Sequence, residues 1–466
     1  MPRTPDDIAQ LLQHALRHHQ SGELEAAARI YRQILAHEAG HADAMHLLGL
    51  VQYARGELAA AAERVRAACT AQPRSAVYHF NLGNILRDTG DLADALAAYR
   101  QAVALQSDEA DYHNNLGQAC EEACMPEEAL SCYRRAVELA PEDATPWVNL
   151  ALSLQQQGQR DAAIAAYRQA LRLAPRHAQA LNNLGGLLQA GEDFAGAAAC
   201  YAAALQTDPE LAEAHRNYGG LLEAGGDRNG ALRHYREALR LKPDYTEVAY
   251  VLAALRGEQV PSVAPEEYVA ALFDQYADGF DEHLTGVLGY RTPAMLRAMF
   301  DRCGGGSGLQ VLDLGCGTGL VGMAFRDRAA HLAGVDLSPR MVDKARQRAV
   351  YDELVMGDVV QMLNTQPQRW DLLLAADVFV YLGDLAPVII AAQQALRPGG
   401  QLLFSVEQGE AEDFVLREAG RYAHSAVYVR ALAARHGFLL LAEEAAVLRQ
   451  NLGADVPGWL YAMQRA

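Results

Sequence analysis

Seven alanines set 34 residues apart constrain this chain more than any other feature: Ala27, Ala61, Ala95, Ala129, Ala163, Ala197 and Ala231. Four residues after each comes a larger side chain: Tyr31, Val65, Tyr99, Tyr133, Tyr167, Tyr201 and Tyr235. One helical turn separates the members of each pair, so small and large residues share a face and interlock with a neighbouring helix. Earlier in each unit stands a small residue, Gly49, Gly83, Gly117, Ala151, Gly185 or Gly219, where two helices must approach closely. Pro73, Pro141, Pro175, Pro209 and Pro243 mark the ends of the second helices, because a missing amide and a fixed φ stop propagation. Helical hairpins of this size cannot bury their own apolar faces and must stack.

These residues resemble the tetratricopeptide consensus over residues 1–256, about seven repeats with Tyr245 to Arg256 as a capping helix. The resemblance implies an all-α superhelix whose concave groove takes a protein or peptide partner. A further column, Asn81, Asn115, Asn149, Asn183 and Asn217, repeats with the same period. It is similar to the asparagine ladder of O-linked N-acetylglucosamine transferases, where amides hold a peptide backbone. An amide offers donors and an acceptor, so such a ladder grips an extended chain without reading its side chains. The other reading is that each asparagine caps or bridges adjacent helices.

Gly257-Glu-Gln-Val-Pro-Ser-Val-Ala-Pro ends the array, and its two prolines forbid a continuous helix, giving a linker over 257–265. Residues 266–304 read as a helical lead-in with aromatics at Tyr268, Phe273, Tyr276, Phe280 and Tyr290, either a core-facing stripe or a lid. From residue 305 to 466 short apolar runs alternate with amphipathic helices, the pattern of a parallel sheet wound with helices. The chain is therefore read as multi-domain, an all-α array followed by an α/β domain.

Val311-Leu-Asp-Leu-Gly-Cys-Gly-Thr-Gly places an acid at the end of a buried strand and glycines in the turn that opens a helix. Glycine there lets the backbone turn sharply and a ligand approach it. Leu332-Ala-Gly-Val-Asp-Leu-Ser follows as a second strand ending in an acid about 20 residues on, the spacing of a ribose-binding carboxylate. A third strand near Glu353 to Met356 ends in Gly357-Asp358, Trp370-Asp-Leu-Leu-Leu-Ala-Ala-Asp supplies a fourth, and Leu396-Arg-Pro-Gly-Gly precedes a fifth over Gln401 to Val406. Phe438 to Leu441 and Trp459 to Met463 complete seven strands. In this order the motifs resemble class I S-adenosylmethionine-dependent methyltransferases. The resemblance implies a Rossmann-like, mostly parallel sheet, S-adenosyl-L-methionine as cofactor, and Asp313, Gly315, Gly317, Gly319, Asp336, Met341 and Asp358 as its binding set.

Acceptor chemistry belongs at the carboxyl ends of the fourth and fifth strands and in segments folded over them. Asp377, Tyr381 and Glu407 meet that criterion. His424, in Gly420-Arg-Tyr-Ala-His-Ser, is the preferred general base because its reference pKa lies nearest neutrality, and Arg421 either orients an acidic group of the substrate or pairs with a surface carboxylate. That stretch and Leu272-Phe-Asp-Gln-Tyr-Ala-Asp-Gly-Phe-Asp-Glu-His-Leu are similar to a bacterial group of methyltransferases carrying tetratricopeptide repeats.

A formal net charge of -18 with no basic patch argues against nucleic acid as substrate. The N-terminus lacks a secretory pattern and no apolar run reaches the roughly 20 residues needed to span a bilayer, so the expectation is a cytoplasmic protein without a membrane partner. Cys120, Cys124 and Cys132 lie close in sequence, but no ligand pattern is completed and packing is preferred to a metal. The expected function is methyl transfer to a protein or peptide held by the repeats. The alternatives are a small-metabolite acceptor with the repeats used for recruitment, and a non-catalytic scaffold that keeps the fold.

Overall fold

The structure is a computed structural model that describes residues 5–257, 260–451 and 453–466. Residues 1–4, in the segment read above for a leader, and 258–259, in the expected linker, lie outside the described residues. The chain divides into two compact units, Met1–Gly225 and Gly226–Ala466.

The first unit is a succession of paired helices, from Pro5–Gln20 and Leu24–His37 to Phe194–Thr207 and Ala212–Ala224. Its core is built from the two periodic columns. Tyr31, Tyr99, Tyr133, Tyr167 and Tyr201 have essentially no exposed surface. A Cβ placed on Gly83, Gly117 or Gly185 would stand 2.7 Å from the ring of Tyr99, Tyr133 or Tyr201, so the small residue sets how closely the two helices pack. Each buried phenol still needs a partner. Tyr133 donates to Glu121 (2.9 Å), Tyr167 to Gln155 (3.2 Å) and Tyr201 to Gln189 (2.9 Å), each 12 residues upstream. Second helices end at Ala71, Leu139, Leu173 and Thr207, two residues before the prolines.

The second unit opens with helices Arg228–Leu241 and Thr246–Arg256, which carry the last of the 34-residue period. Tyr250 is fully buried there and donates to the carbonyl of Gly420 at 3.0 Å. The residues read as linker are pinned: Ala264 N donates to Tyr381 O (2.9 Å), and Gly383 N and Asp384 N donate to Ser262 O (2.8 and 2.9 Å). Nine strands follow: β1 Leu309–Leu314, β2 Ala329–Asp336, β3 Glu353–Met356, β4 Trp370–Ala375, β5 Leu396–Gln408, β6 Phe414–Arg417, β7 Arg421–His424, β8 Phe438–Asn451 and β9 Ala454–Arg465. Their order is β3-β2-β1-β4-β5-β7-β6, with β9 antiparallel to β5 and β8 antiparallel to β9. β2 and β4 flank β1 on opposite sides, so a crevice opens at the carboxyl ends of β1 and β4.

The expected sheet of seven strands is therefore corrected to nine among the described residues. The two extra strands are the hairpin β6 and β7, four residues each, in a stretch whose Arg417 and Arg421 hide the alternation that marks a half-buried strand. β8 and β9 also run well beyond the short cores expected for them, and Glu443 and Glu444, each partly exposed, fall within β8.

Candidate active site

The glycine turn after β1 follows the backbone logic of its sequence. Gly315, Gly317 and Gly319 have φ of 64°, 53° and 98°, the left-handed region that side chains avoid. A Cβ on Gly315 would meet Val378 at 2.5 Å, whereas one on Gly317 would project into open space. Two acids flank this turn. Asp336, at the end of β2, accepts from Gly317 N (2.8 Å) and Ser338 N (2.9 Å). Asp313, near the end of β1, has no exposed surface and accepts from Tyr351 Oη at 2.6 Å, while its Oδ1 is buried without a partner. Burial, eased by Tyr351 and reinforced by the charge of Asp336, pushes the Asp313 carboxyl up to about 7; burial likewise raises Asp336.

These residues fit S-adenosylmethionine on their own chemistry. An unpartnered carboxylate oxygen and a desolvated acid pair suit a cationic ligand, and the open side of Gly317 leaves room for one against the backbone. Asp336 keeps lone pairs beyond its two backbone bonds, as a diol-binding acid requires. Asp358 caps helix Val359–Asn364 through Gln361 N at 2.8 Å and is half-buried, with a second oxygen to spare. Met341 has no exposed surface and packs as core.

At the carboxyl ends of β4 and β5 and the amino end of β7 the structure gathers Asp377, Tyr381, Glu407 and Arg421 with a residue the sequence reading missed, Arg449 of β8. Arg449 donates to both oxygens of Asp377 (3.0 and 3.1 Å) and to Glu407. Arg421 reaches Asp377 at 3.3 Å, and Arg417 donates to Glu407 at 2.9 Å. Asp377 itself has φ 62°, rare for a residue with a side chain, and its N–H donates to Ser405 Oγ at 2.9 Å. An arginine inside a strand that packs against the core was the available signal for Arg449, since such a charge is buried only with partners.

His424 does not serve as the general base that its pKa range suggested. It is fully buried, its Nε2 donates to the carbonyls of Leu382 (2.9 Å) and Gly383 (3.0 Å), and burial pushes its pKa down to about 4. The ring pins the loop after β4 to β7 and has no surface for an acceptor to reach.

The lead-in folds over the crevice through acids. Asp274 accepts from Ser338 Oγ, Asp281 from Thr318 Oγ1 and Arg348, and Asp278 pairs with Arg340 and, at 3.1 Å, with Lys344. Phe273 meets Tyr381 edge to face at 5.6 Å. Tyr290 is buried, whereas Tyr276 is half exposed, so the aromatic stripe is partly core and partly surface.

In the repeat unit the asparagine column is half-buried and its amides bond to earlier helices. Asn81 Nδ2 meets His46 (2.9 Å), Asn115 donates to Asn84 (3.0 Å), Asn149 to Asn114 (2.8 Å), Asn183 to Tyr167 (3.1 Å) and Asn217 to Asn182 (3.0 Å). Each amide N–H thus bridges neighbouring helices. Among the described residues no group of three or more His, Cys, Asp or Glu is placed to hold a metal ion, and no helix is long and apolar enough to cross a membrane.

Comparison with known proteins supports both units. Residues 311–400 match a methyltransferase domain family, and residues 12–76, 73–142, 144–177 and 186–246 match tetratricopeptide repeat families. The malonyl-[acyl-carrier protein] O-methyltransferase of Serratia marcescens is 35% identical over 98 residues, 21% of this chain and 38% of that protein. The ubiquinone biosynthesis O-methyltransferase of Xylella fastidiosa is 30% identical over 118 residues, 24% of this chain and 48% of that protein. The chain thus spans less than half the length of either curated relative. Solved structures similar to it include PilF of Pseudomonas aeruginosa, 26% identical over 46% of this chain and 96% of that one with a TM-score of 0.42. YrrB, a tetratricopeptide protein with an unusual peptide-binding site, is 25% identical over 41% of this chain and 97% of that one with a TM-score of 0.36. The chain therefore carries a class I methyltransferase domain behind an array of tetratricopeptide repeats.

Proposed function

We propose that the chain transfers a methyl group from S-adenosylmethionine to an acceptor borne on a protein or peptide that the repeats recruit. The observation that carries the transfer reading is the unpartnered Oδ1 of Asp313, buried beside Asp336 and the glycine turn. The donor, when bound, supplies a methyl group activated on a sulfonium. Asp313, Asp336 and Asp358 are its holding groups, with Gly315, Gly317 and Gly319 shaping the turn. The lead-in acids fix Ser338 and Thr318 and keep water from the crevice, and the network around Asp377 orients the acceptor; much of the rate of such a displacement comes from that positioning.

A protein-borne acceptor is supported by the repeats and by the Serratia relative, which is named for a carrier-protein substrate. The Xylella relative, named for ubiquinone biosynthesis, favours the second reading, a small-molecule acceptor with the repeats used for recruitment. Titration calorimetry with S-adenosylhomocysteine tests the pocket: binding is expected, and none at millimolar ligand ends both readings. Labelled donor added with a cell lysate, followed by sizing of the products, separates the two. Label in macromolecules is expected, and label confined to small molecules selects the second reading.

A further inference from the structure

We infer that the atom methylated at this site is a carboxylate oxygen, held by Arg421 with Tyr381 beside it. This rests on the transfer reading above and adds the class of acceptor.

The first observation is what the acceptor end of the sheet lacks. An alcohol, phenol or ammonium acceptor must lose a proton at the reacting atom, and a positioned side chain must take it. Asp377 gives both oxygens to Arg449 and one of them also to Arg421. Glu407, 3% exposed, gives one oxygen to Arg417 and the other to Arg449. His424 is sealed, with Nε2–H on two carbonyls. Tyr381 and Tyr290 are buried phenols, pushed above their usual range by desolvation, and keep their protons. Neither carboxylate is free of an arginine, and His424 Nδ1, which has no partner, is buried out of reach of an acceptor. A carboxylate arrives without the proton.

The second observation is where positive charge is left over. Three guanidinium groups, Arg417, Arg421 and Arg449, face two carboxylates, Asp377 and Glu407, in a chain of net charge -18. Arg449, 7% exposed, is spent on Asp377 and Glu407 and acts as a strut. Arg421, 25% exposed, bonds through Nη1 alone; its Nε and Nη2 have no partner among the described residues. Its guanidinium lies over the Tyr381 ring, 5.5 Å from the centroid, and Tyr381 Oη is buried without a partner. A free guanidinium edge beside an unpaired phenol is a donor set matched to a carboxylate. A carboxylate has about four lone-pair positions, so these donors leave lone pairs free to react.

In the step itself the acceptor's carboxylate oxygen forms the new bond to the methyl carbon. The methyl-to-sulfur bond breaks with its electron pair remaining on sulfur, and no proton moves. The product is a neutral ester, which loses the charge that held it to Arg421 and so favours release.

The full chain, given S-adenosylmethionine labelled in the methyl group and a cell lysate, tests this. Products are treated with mild alkali, and the label is expected to leave as volatile methanol, the behaviour of a methyl ester. Label that survives alkali, as an ether or an N-methyl group does, overturns the carboxylate while leaving the transfer reading standing. Label in no fraction overturns the transfer reading and this inference with it. Arg421→Gln is expected to cut the alkali-labile label at least tenfold with S-adenosylhomocysteine affinity unchanged, and Arg421→Lys, which keeps the charge without the fork, to retain part of it. Wild-type labelling by Arg421→Gln removes Arg421 from the site and overturns the assignment.

Discussion

In the repeat unit Asn114 and Asn182 are buried, and each accepts a hydrogen bond from the asparagine 35 residues further on. In the second unit Asp313 is buried at least as deeply, yet one of its oxygens bonds to nothing, and Arg421 leaves two of its nitrogens unspent. Burial of a polar group is costly unless its bonds are made. Asn114 and Asn182 meet that cost by pairing with another asparagine, whereas Asp313 leaves it partly unmet. The recurring pairs serve architecture, and the incomplete bonding beside the glycine turn leaves a place for a ligand.

The contrast is open to direct attack. The largest effect is expected from Tyr133→Ala, which empties the space against Gly117: about 3–5 kcal/mol lost from the repeat unit, read by denaturant unfolding, with S-adenosylhomocysteine affinity unchanged. A parallel fall in that affinity would join the two units energetically. Asp336→Ala removes an acid oriented by two backbone amides and should weaken S-adenosylhomocysteine about a hundredfold, roughly 3 kcal/mol, as two lost charge-assisted bonds imply. Calorimetry showing native affinity would strip Asp336 of its binding role.

Asp313 gives a smaller effect that depends on pH. Its folded pKa of about 7 lies above the unfolded value of 3.8, so the folded state binds the proton more tightly. Its stabilising contribution is full below the unfolded value and fades as pH rises toward 7. Between pH 5 and pH 7.5 the wild type should lose roughly 2 kcal/mol of stability that Asp313→Asn retains. An equal change in unfolding free energy between the two pH values for wild type and Asp313→Asn, read by urea denaturation, would show that Asp313 does not titrate in this window. Smallest is Asn149→Ala, which breaks one bridge to Asn114 at about 1 kcal/mol. If Asn149→Ala leaves thermal stability alone but lowers capture of an extended peptide, the column works as a grip and the contrast above is lost.

The array was legible because its constraint is local and repeated: Ala129, Tyr133 and Gly117 define one contact, and the period copies it. The glycine turn and the acids ending β1 and β2 were legible for a similar reason, since a sharp turn and a strand end leave their mark in a few adjacent residues. His424 was misread because a reference pKa is a property of the isolated side chain. Three-dimensional packing placed its ring where no acceptor reaches. The β6–β7 hairpin escaped notice because its four-residue strands carry charges that serve the site and break the expected alternation.

The sequence by itself determined the stacked helical hairpins, the parallel sheet, the glycine turn and its two acids, since each rests on period, turn chemistry or position at a strand end. Only the tertiary structure decided that Arg449, 72 residues from Asp377, would bond to both of its oxygens and share it with Arg421. It also decided that each of these asparagine amides would make a bond between neighbouring helices. Those outcomes depend on which polar groups the fold brings within hydrogen-bond distance, and no local pattern encodes that.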